Sequence, residues 1–261
     1  MEYLVSGVDN ADLWTRRFHS APDALLRLVC FPHAGGTAAF YVPFSRALTP
    51  NIDVVAIQYP CRQDRRSEPC LDSIAALAEA VYGPLLALAD NRPLALFGHS
   101  MGASLAYEIA CRLEEGGVPL TALFVSGRGA PHLSRQEYLQ FYDDNSLVEE
   151  IKKLSGTDTR LFDDAEHRSM ILPAIRGDHR AAGTYRWRPR GPLRTPIHTH
   201  IGLSDPRVSF DEAHAWRDHT ASDFSLTTYP GDHFYLINQV TQVTRTISAT
   251  LRRPVNSNLG R

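Results

Sequence analysis

Gly98-His99-Ser100-Met101-Gly102 constrains this chain more than any other stretch. It follows an apolar, strand-like run, Pro93 to Phe97, and opens a helix-like run, Ala103 to Glu115. A serine between two glycines at a strand-to-helix junction is a nucleophile elbow. The turn leaves no room for side chains at its flanks, so Gly98 and Gly102 let strand and helix pass closely. Ser100 is thereby pushed into a strained, exposed position at the helix N-terminus, where free N–H groups favour negative charge. The same five residues in an arbitrary loop would mean little; here the context the motif requires stands on both sides.

The rest of the chain supplies a frame for that elbow. Short apolar runs, Leu28 to Phe31, Val54 to Ile57, Leu94 to Phe97 and Ala122 to Val125, read as buried central strands. Ile197 to Ile201 and Phe224 to Tyr229 predict two more. Between them lie amphipathic stretches, Ser73 to Leu88 and Ala103 to Glu115, and Leu236 to Leu251 reads as a closing helix. Such alternation predicts an α/β protein with a mostly parallel sheet and helices on both faces. With the elbow behind the third central strand, the expectation is an α/β-hydrolase fold. The 261 residues are enough for one such domain, and no second is required.

One block breaks the pattern. Over 134–185 there is only helical periodicity: Tyr138, Phe141 and Tyr142, then Leu147, Val148, Ile151 and Leu154, then Met170, Ile171, Leu172 and Ile175. A sheet crossover needs only about a dozen residues. A helical lid inserted at roughly residues 132–188 is therefore expected, with ordinary packing helices as the alternative.

A serine hydroxyl needs a base, and the base an orienting acid. In this fold they follow the serine in the order acid, then histidine, on loops after later strands. Asp205 follows the strand ending at Ile201, and His233 follows the strand ending at Tyr229. Ser100, Asp205 and His233 are the candidate catalytic triad. Asp232 adjoins His233, but neighbouring side chains diverge; Asp211, Asp218 and Asp223 lie within or beyond the helix expected after Asp205. His99 is expected to pack beside the site. His198 and His200 alternate on one strand, yet no third residue has ligand spacing, so no metal site is expected. Two backbone N–H donors should face the developing oxyanion. Met101, next after the nucleophile, offers one. Ala34, in the small-residue loop Pro32-His33-Ala34-Gly35-Gly36, offers the other.

Bulk properties exclude several classes. A formal net charge of −2 gives no reason to expect nucleic-acid binding. No apolar run approaches a membrane span, and no secretory signal is visible, so a cytoplasmic location is expected. Four cysteines (Cys30, Cys61, Cys70, Cys111) at irregular spacings are then expected as free thiols, with a Cys61–Cys70 disulfide as the alternative.

Together, Phe31 to Gly36, Gln58-Tyr59-Pro60 with Arg62 and Arg65, Gly98 to Gly102, Asp205-Pro206 and Gly231 to Phe234 resemble the type II thioesterases. These are stand-alone editing enzymes of polyketide and nonribosomal-peptide assembly lines. The resemblance spans nearly the whole chain and includes Leu172 to Asp178 in the lid block. It departs at Cys61, where the family usually has glycine, and at Gly183, where an acidic residue is common. It implies hydrolysis of acyl groups held as thioesters on the phosphopantetheine arm of an acyl or peptidyl carrier protein; separately, a monomer without a cofactor is expected. Since carrier proteins are acidic, Arg62, Arg65 and Arg66 are candidates to contact the carrier or its phosphate, or else they line a solvated loop. An acyl-CoA thioesterase, a general carboxylesterase, an acyltransferase and a non-catalytic binding protein on the same fold are the alternatives.

Overall fold

The computed structural model describes residues 7–89, 92–133, 144–152, 162 and 164–252. The strands are β1 (Thr15–Arg16), β2 (Arg27–Phe31), β3 (Asp53–Ile57), β4 (Leu94–His99), β5 (Leu120–Ser126), β6 (Ile197–Gly202) and β7 (Phe224–Tyr229). The helices are α1 (Gly7–Trp14), α2 (Val42–Leu48), α3 (Ile74–Leu86), α4 (Met101–Glu115), α5 (Asp144–Lys152), α6 (Ala165–Thr184), α7 (Phe210–His214), α8 (Tyr235–Asn238) and α9 (Val240–Leu251).

The strands form one sheet in the order β1-β3-β2-β4-β5-β6-β7. All neighbours are parallel except β1, which pairs antiparallel with β3 through Thr15 and Arg16. This is the α/β-hydrolase arrangement. β2, β3 and β4 are buried at every residue, as strands covered on both faces must be. Their alternate side chains feed two cores. One packs Val29, Val55 and Leu96 against α3 and α4; the other packs Leu28, Val54 and Phe97 against α2 and α9.

Register decides where chemistry can occur. Phe31 pairs with Gly98, His99 with Ser126, Ser126 with His200, and Gly202 with Tyr229. The carboxyl ends of β2, β4, β5, β6 and β7 therefore reach one rim, and the loops leaving them share it.

Six strands match the sequence expectation to within two residues at either end. The seventh, β1, has two residues and no periodicity to detect. The closing helix differs more: it is two helices, α8 and α9, separated at Gln239, whose φ of −113° leaves the helical range. In the irregular block α5 and α6 pack through Leu147, Val148, Ile151, Leu172 and Ile175, with Phe162 beside them. Tyr138, Phe141, Tyr142 and Leu154 lie outside the described residues. No described helix is long and apolar enough to cross a membrane.

Candidate active site

Backbone crowding forms the elbow. A Cβ on Gly98 would stand 2.1 Å from the Gly102 carbonyl oxygen, and one on Gly102 would stand 2.1 Å from that of Phe31. Only glycine allows β2, β4 and the first turn of α4 to approach so closely. Between them Ser100 takes φ 54°, ψ −116°, a conformation costly for any residue with a Cβ. Its amide is tied to the Ser126 carbonyl at 2.8 Å, which fixes the turn against β5.

The loops after β6 and β7 bring the other two residues. A Cβ on Gly202 would lie 2.1 Å from the Asp232 carbonyl oxygen, so this glycine lets the two loops touch. Leu203 N–H donates to the Tyr229 carbonyl at 2.8 Å, and Ser204 N–H to that of Gly231 at 2.9 Å. Across this seam His233 Nδ1–H donates to Asp205, 2.9 Å from Oδ2 and 3.1 Å from Oδ1. The Ser100 hydroxyl donates to His233 Nε2 at 3.1 Å. Arg207 N–H holds Asp205 Oδ1 at 2.8 Å. The Asp205 side chain is fully buried and that of His233 is 3% exposed. The three sequence candidates thus form one hydrogen-bonded chain. Asp232 turns away and caps the amide of Phe234 at 2.9 Å.

Three histidines crowd this point. The His99 ring lies 5.0 Å from that of His233, and His33 packs 4.8 Å from Phe234. Burial pushes the His33 pKa down to about 3, with repulsion from His233 and Arg62 adding to it. Burial, then repulsion from His233, holds His99 well below the usual histidine range. Both rings are therefore neutral. His99 is anchored from behind: its Nδ1 lies 2.9 Å from the Ser126 hydroxyl, itself 2.7 Å from the Tyr235 hydroxyl. Sequence reasoning missed Ser126, Tyr235 and also Gly127. At φ +58°, a Cβ on Gly127 would stand 2.7 Å from His99 Cε1 and 3.2 Å from His233 Cε1. None of these carries a local pattern; only a serine and glycine directly after a strand hinted at them.

A cavity of about 30 Å³ opens beside Ser100, lined by His33, Ala34, Met101, His179, Arg207 and Phe234 among others. Ala34 and Met101, the expected oxyanion donors, are both in its wall. His179 and Ala182 come from α6, which therefore forms one wall of the cavity beside the serine. His198 and His200 are turned to other partners, the Ser225 hydroxyl at 2.7 Å and the Tyr229 hydroxyl at 2.9 Å.

Two expectations require correction. Arg62 and Arg65 do not face outward: their side chains are 7% and 4% exposed. Arg62 is held by Asp178 at 2.6 and 2.8 Å, and Arg65 by Glu68 and the Gln58 carbonyl. Their charge is neutralised inside the fold, leaving Arg66 as the exposed member of the cluster. The second correction concerns Cys61 and Cys70, which form a disulfide with Cα atoms 4.8 Å apart; Cys30 and Cys111 are the free thiols. The loop after β3 turns back on itself, with Cys61 N–H donating to the Arg65 carbonyl at 3.0 Å, and returns Cys70 beside Cys61.

With this geometry in hand, comparison with known proteins is decisive. A family model described as a thioesterase domain matches residues 26–251. The chain belongs to the thioesterase family. The members of that family are hydrolases of thioesters. Thioesterase PikA5 of Streptomyces venezuelae is 45% identical over 240 residues, covering 92% of this chain and 85% of its own. Among solved structures, the type II thioesterase BorB from the borrelidin biosynthetic cluster superposes with a TM-score of 0.84 at 48% identity, covering 92% of this chain and 98% of its own. YbtT, a type II thioesterase from the yersiniabactin pathway, gives 0.83 at 29% identity, with coverage of 91% and 98%. This thioesterase therefore has its likeness to type II thioesterases along nearly its full length.

Proposed function

We propose that this thioesterase removes aberrant or stalled acyl groups from the phosphopantetheine arm of acyl or peptidyl carrier proteins during polyketide or nonribosomal-peptide synthesis, as a cytoplasmic monomer. The observation that carries the chemistry is the chain Ser100 Oγ to His233 Nε2 to Asp205 at 3.1 and 2.9 Å. The names and pathways of the relatives support the carrier-bound substrate.

In the first step the Ser100 proton passes to His233 Nε2 as Oγ attacks the thioester carbonyl. The oxyanion is met by the N–H groups of Met101 and Ala34. The C–S bond then breaks, and the carrier thiolate leaves with the proton from His233. A thiolate leaves readily, so little protonation is required of the imidazolium. In the second step water, deprotonated by His233, attacks the acyl-Ser100 ester; the bond from the acyl carbon to Oγ breaks, His233 returns the proton to Oγ, and the acid departs. Asp205 holds the Nδ1–H tautomer and stabilises the imidazolium in both steps. The reaction so written uses protein side chains, backbone N–H groups and water.

Helix α6 is read as part of the lid expected at 132–188, because its His179 and Ala182 line the cavity beside Ser100.

Hydrolysis of one acyl group presented on carrier protein, on CoA and as a simple ester tests the reading. We expect the highest kcat/KM on the carrier; a preference for CoA or the ester would favour the alternative enzymes. Ser100→Ala and His233→Ala should each lower kcat by about 10⁴-fold or more. Retained activity in Ser100→Ala would remove the mechanism.

A further inference from the structure

We propose that Asp178, on the helix that walls the cavity beside Ser100, is a positioning residue for the oxyanion loop and acts together with Arg62. The inference rests on Ala34 as an oxyanion donor, as read above.

The Asp178 carboxylate is 1% exposed, yet it is saturated with donors from two loops. Gly35 N–H donates to Oδ2 at 2.7 Å. Arg62 grips both oxygens, Nη1 to Oδ2 at 2.6 Å and Nη2 to Oδ1 at 2.8 Å. The same guanidinium donates from Nη1 to the Gly36 carbonyl at 3.1 Å and from Nε to the Pro60 carbonyl at 3.1 Å. One buried ion pair thus seizes the N–H of Gly35 and the C=O of Gly36, on consecutive residues of the loop after β2. Burial alone would draw the Arg62 pKa down, but the Asp178 charge and hydrogen bonds more than reverse this, so the guanidinium stays charged.

The clamp reaches Ala34 through peptide geometry. Gly36 N–H donates to the His33 carbonyl at 2.9 Å, closing a tight turn in which Gly35 has φ +76°. A trans peptide is planar, with its C=O and N–H on opposite sides. Fixing the His33 carbonyl inside the turn therefore directs the Ala34 N–H to the other side, where Ala34 lines the cavity beside Ser100. Ile175 closes the remaining freedom, since its Cγ1 would be 2.8 Å from any Cβ on Gly35. Gly35 and its partner Asp178 stand 143 residues apart in sequence. The helix walling the site therefore also holds one half of its oxyanion hole.

A buried ion pair by itself says little about stability or catalysis, because apolar replacements of the same volume are often tolerated. What distinguishes this one is that its hydrogen bonds end on the oxyanion loop. The test uses the full-length enzyme and an acyl-N-acetylcysteamine thioester, with an alkyl boronic acid as a tetrahedral mimic on Ser100. The double variant Asp178→Ala/Arg62→Met leaves no unpaired buried charge. We expect kcat to fall by about 10²-fold, KM to change by less than about threefold, and boronate affinity to fall in step with kcat/KM. Asp53→Asn, which breaks an equally buried pair with Arg27 at the opposite end of the strands, should lower the melting temperature and leave kcat unchanged. Wild-type kcat in the double variant would overturn the positioning role, as would an equal loss of kcat in Asp53→Asn. If the double variant does not fold, Arg62→Lys decides: a lysine keeps the charge but cannot hold Gly36 and both carboxylate oxygens together. It must then lower kcat by about tenfold or more at unchanged KM, and unchanged kcat refutes the proposal. Ser100→Ala is measured alongside, because activity there would sink the nucleophile assignment instead.

Discussion

At the scale of single residues, the site is built by positions where a side chain is impossible as much as by those where one acts. Gly98, Gly102 and Gly202 each face a backbone oxygen about 2.1 Å from where a Cβ would stand. For Gly102→Ala we expect a loss of about 3 kcal/mol or more, because backbone cannot give way as a side chain can, and thermal melts by circular dichroism check it. Gly127→Ala is a gentler probe of the same idea. Its φ of +58° already disfavours alanine, and the new methyl would press on His99 and His233. A displacement of about 1 Å at the base is enough to cost about 10²-fold, so kcat should fall by at least tenfold in protein that still folds. Fluorophosphonate labelling of Ser100 should slow in parallel, since it uses the same base. Unaltered kcat would mean that the histidine pair tolerates crowding.

At the scale of elements, the loop after β3 and the helix α6 act as one unit. Cys61 and Cys70 close that loop, Cys70 Cβ would touch a Cβ on Gly177 at 3.2 Å, and Arg62 reaches Asp178 one residue further along α6. Disulfides are rare in cytosolic proteins, so this bond bears directly on the proposed cytoplasmic location. Counting alkyl adducts by mass spectrometry, on protein denatured at lysis in excess alkylating agent, decides it: two adducts, at Cys30 and Cys111, are expected if the bond forms. Four would show the pair reduced in the cell. Where it is formed, its reduction should cost about 2–3 kcal/mol for so short a loop, measured by denaturant titration with and without a thiol reductant. The arginines of this loop illustrate why the residue-by-residue reading went astray. A run of basic residues after a strand resembles a solvated patch, and only the return of α6 across it supplies Asp178.

At the scale of the molecule, acid sensitivity follows from histidines buried as neutral rings. Burial lowers the pKa of His33 to about 3, of His200 to about 3 and of His219 to about 4. Unfolded, each would titrate near 6.5, so below that pH the unfolded chain binds protons that the folded chain refuses. Stability is therefore complete above about pH 6.5 and falls as the pH drops toward 4, by up to about 1.4 kcal/mol per pH unit for each such histidine. Melting temperatures between pH 7.5 and 4.5 test this; a flat profile across that range would contradict the burial of these rings as neutral groups. The positions of six strands along the chain and the three members of the candidate triad were legible from one dimension, because alternation, strand-end position and the glycine-flanked serine are local patterns set by short-range sterics and burial. Gly127, Ser126, Tyr235, the Asp178–Arg62 clamp and the break at Gln239 were not, because each draws its meaning from a partner on another element. Local sequence determined which elements this chain would form and which edge of the sheet would carry the chemistry. Tertiary structure alone decided which charges are buried and which distant side chains meet at the serine, since burial and hydrogen-bond pairing between distant segments exist only once the chain has closed on itself.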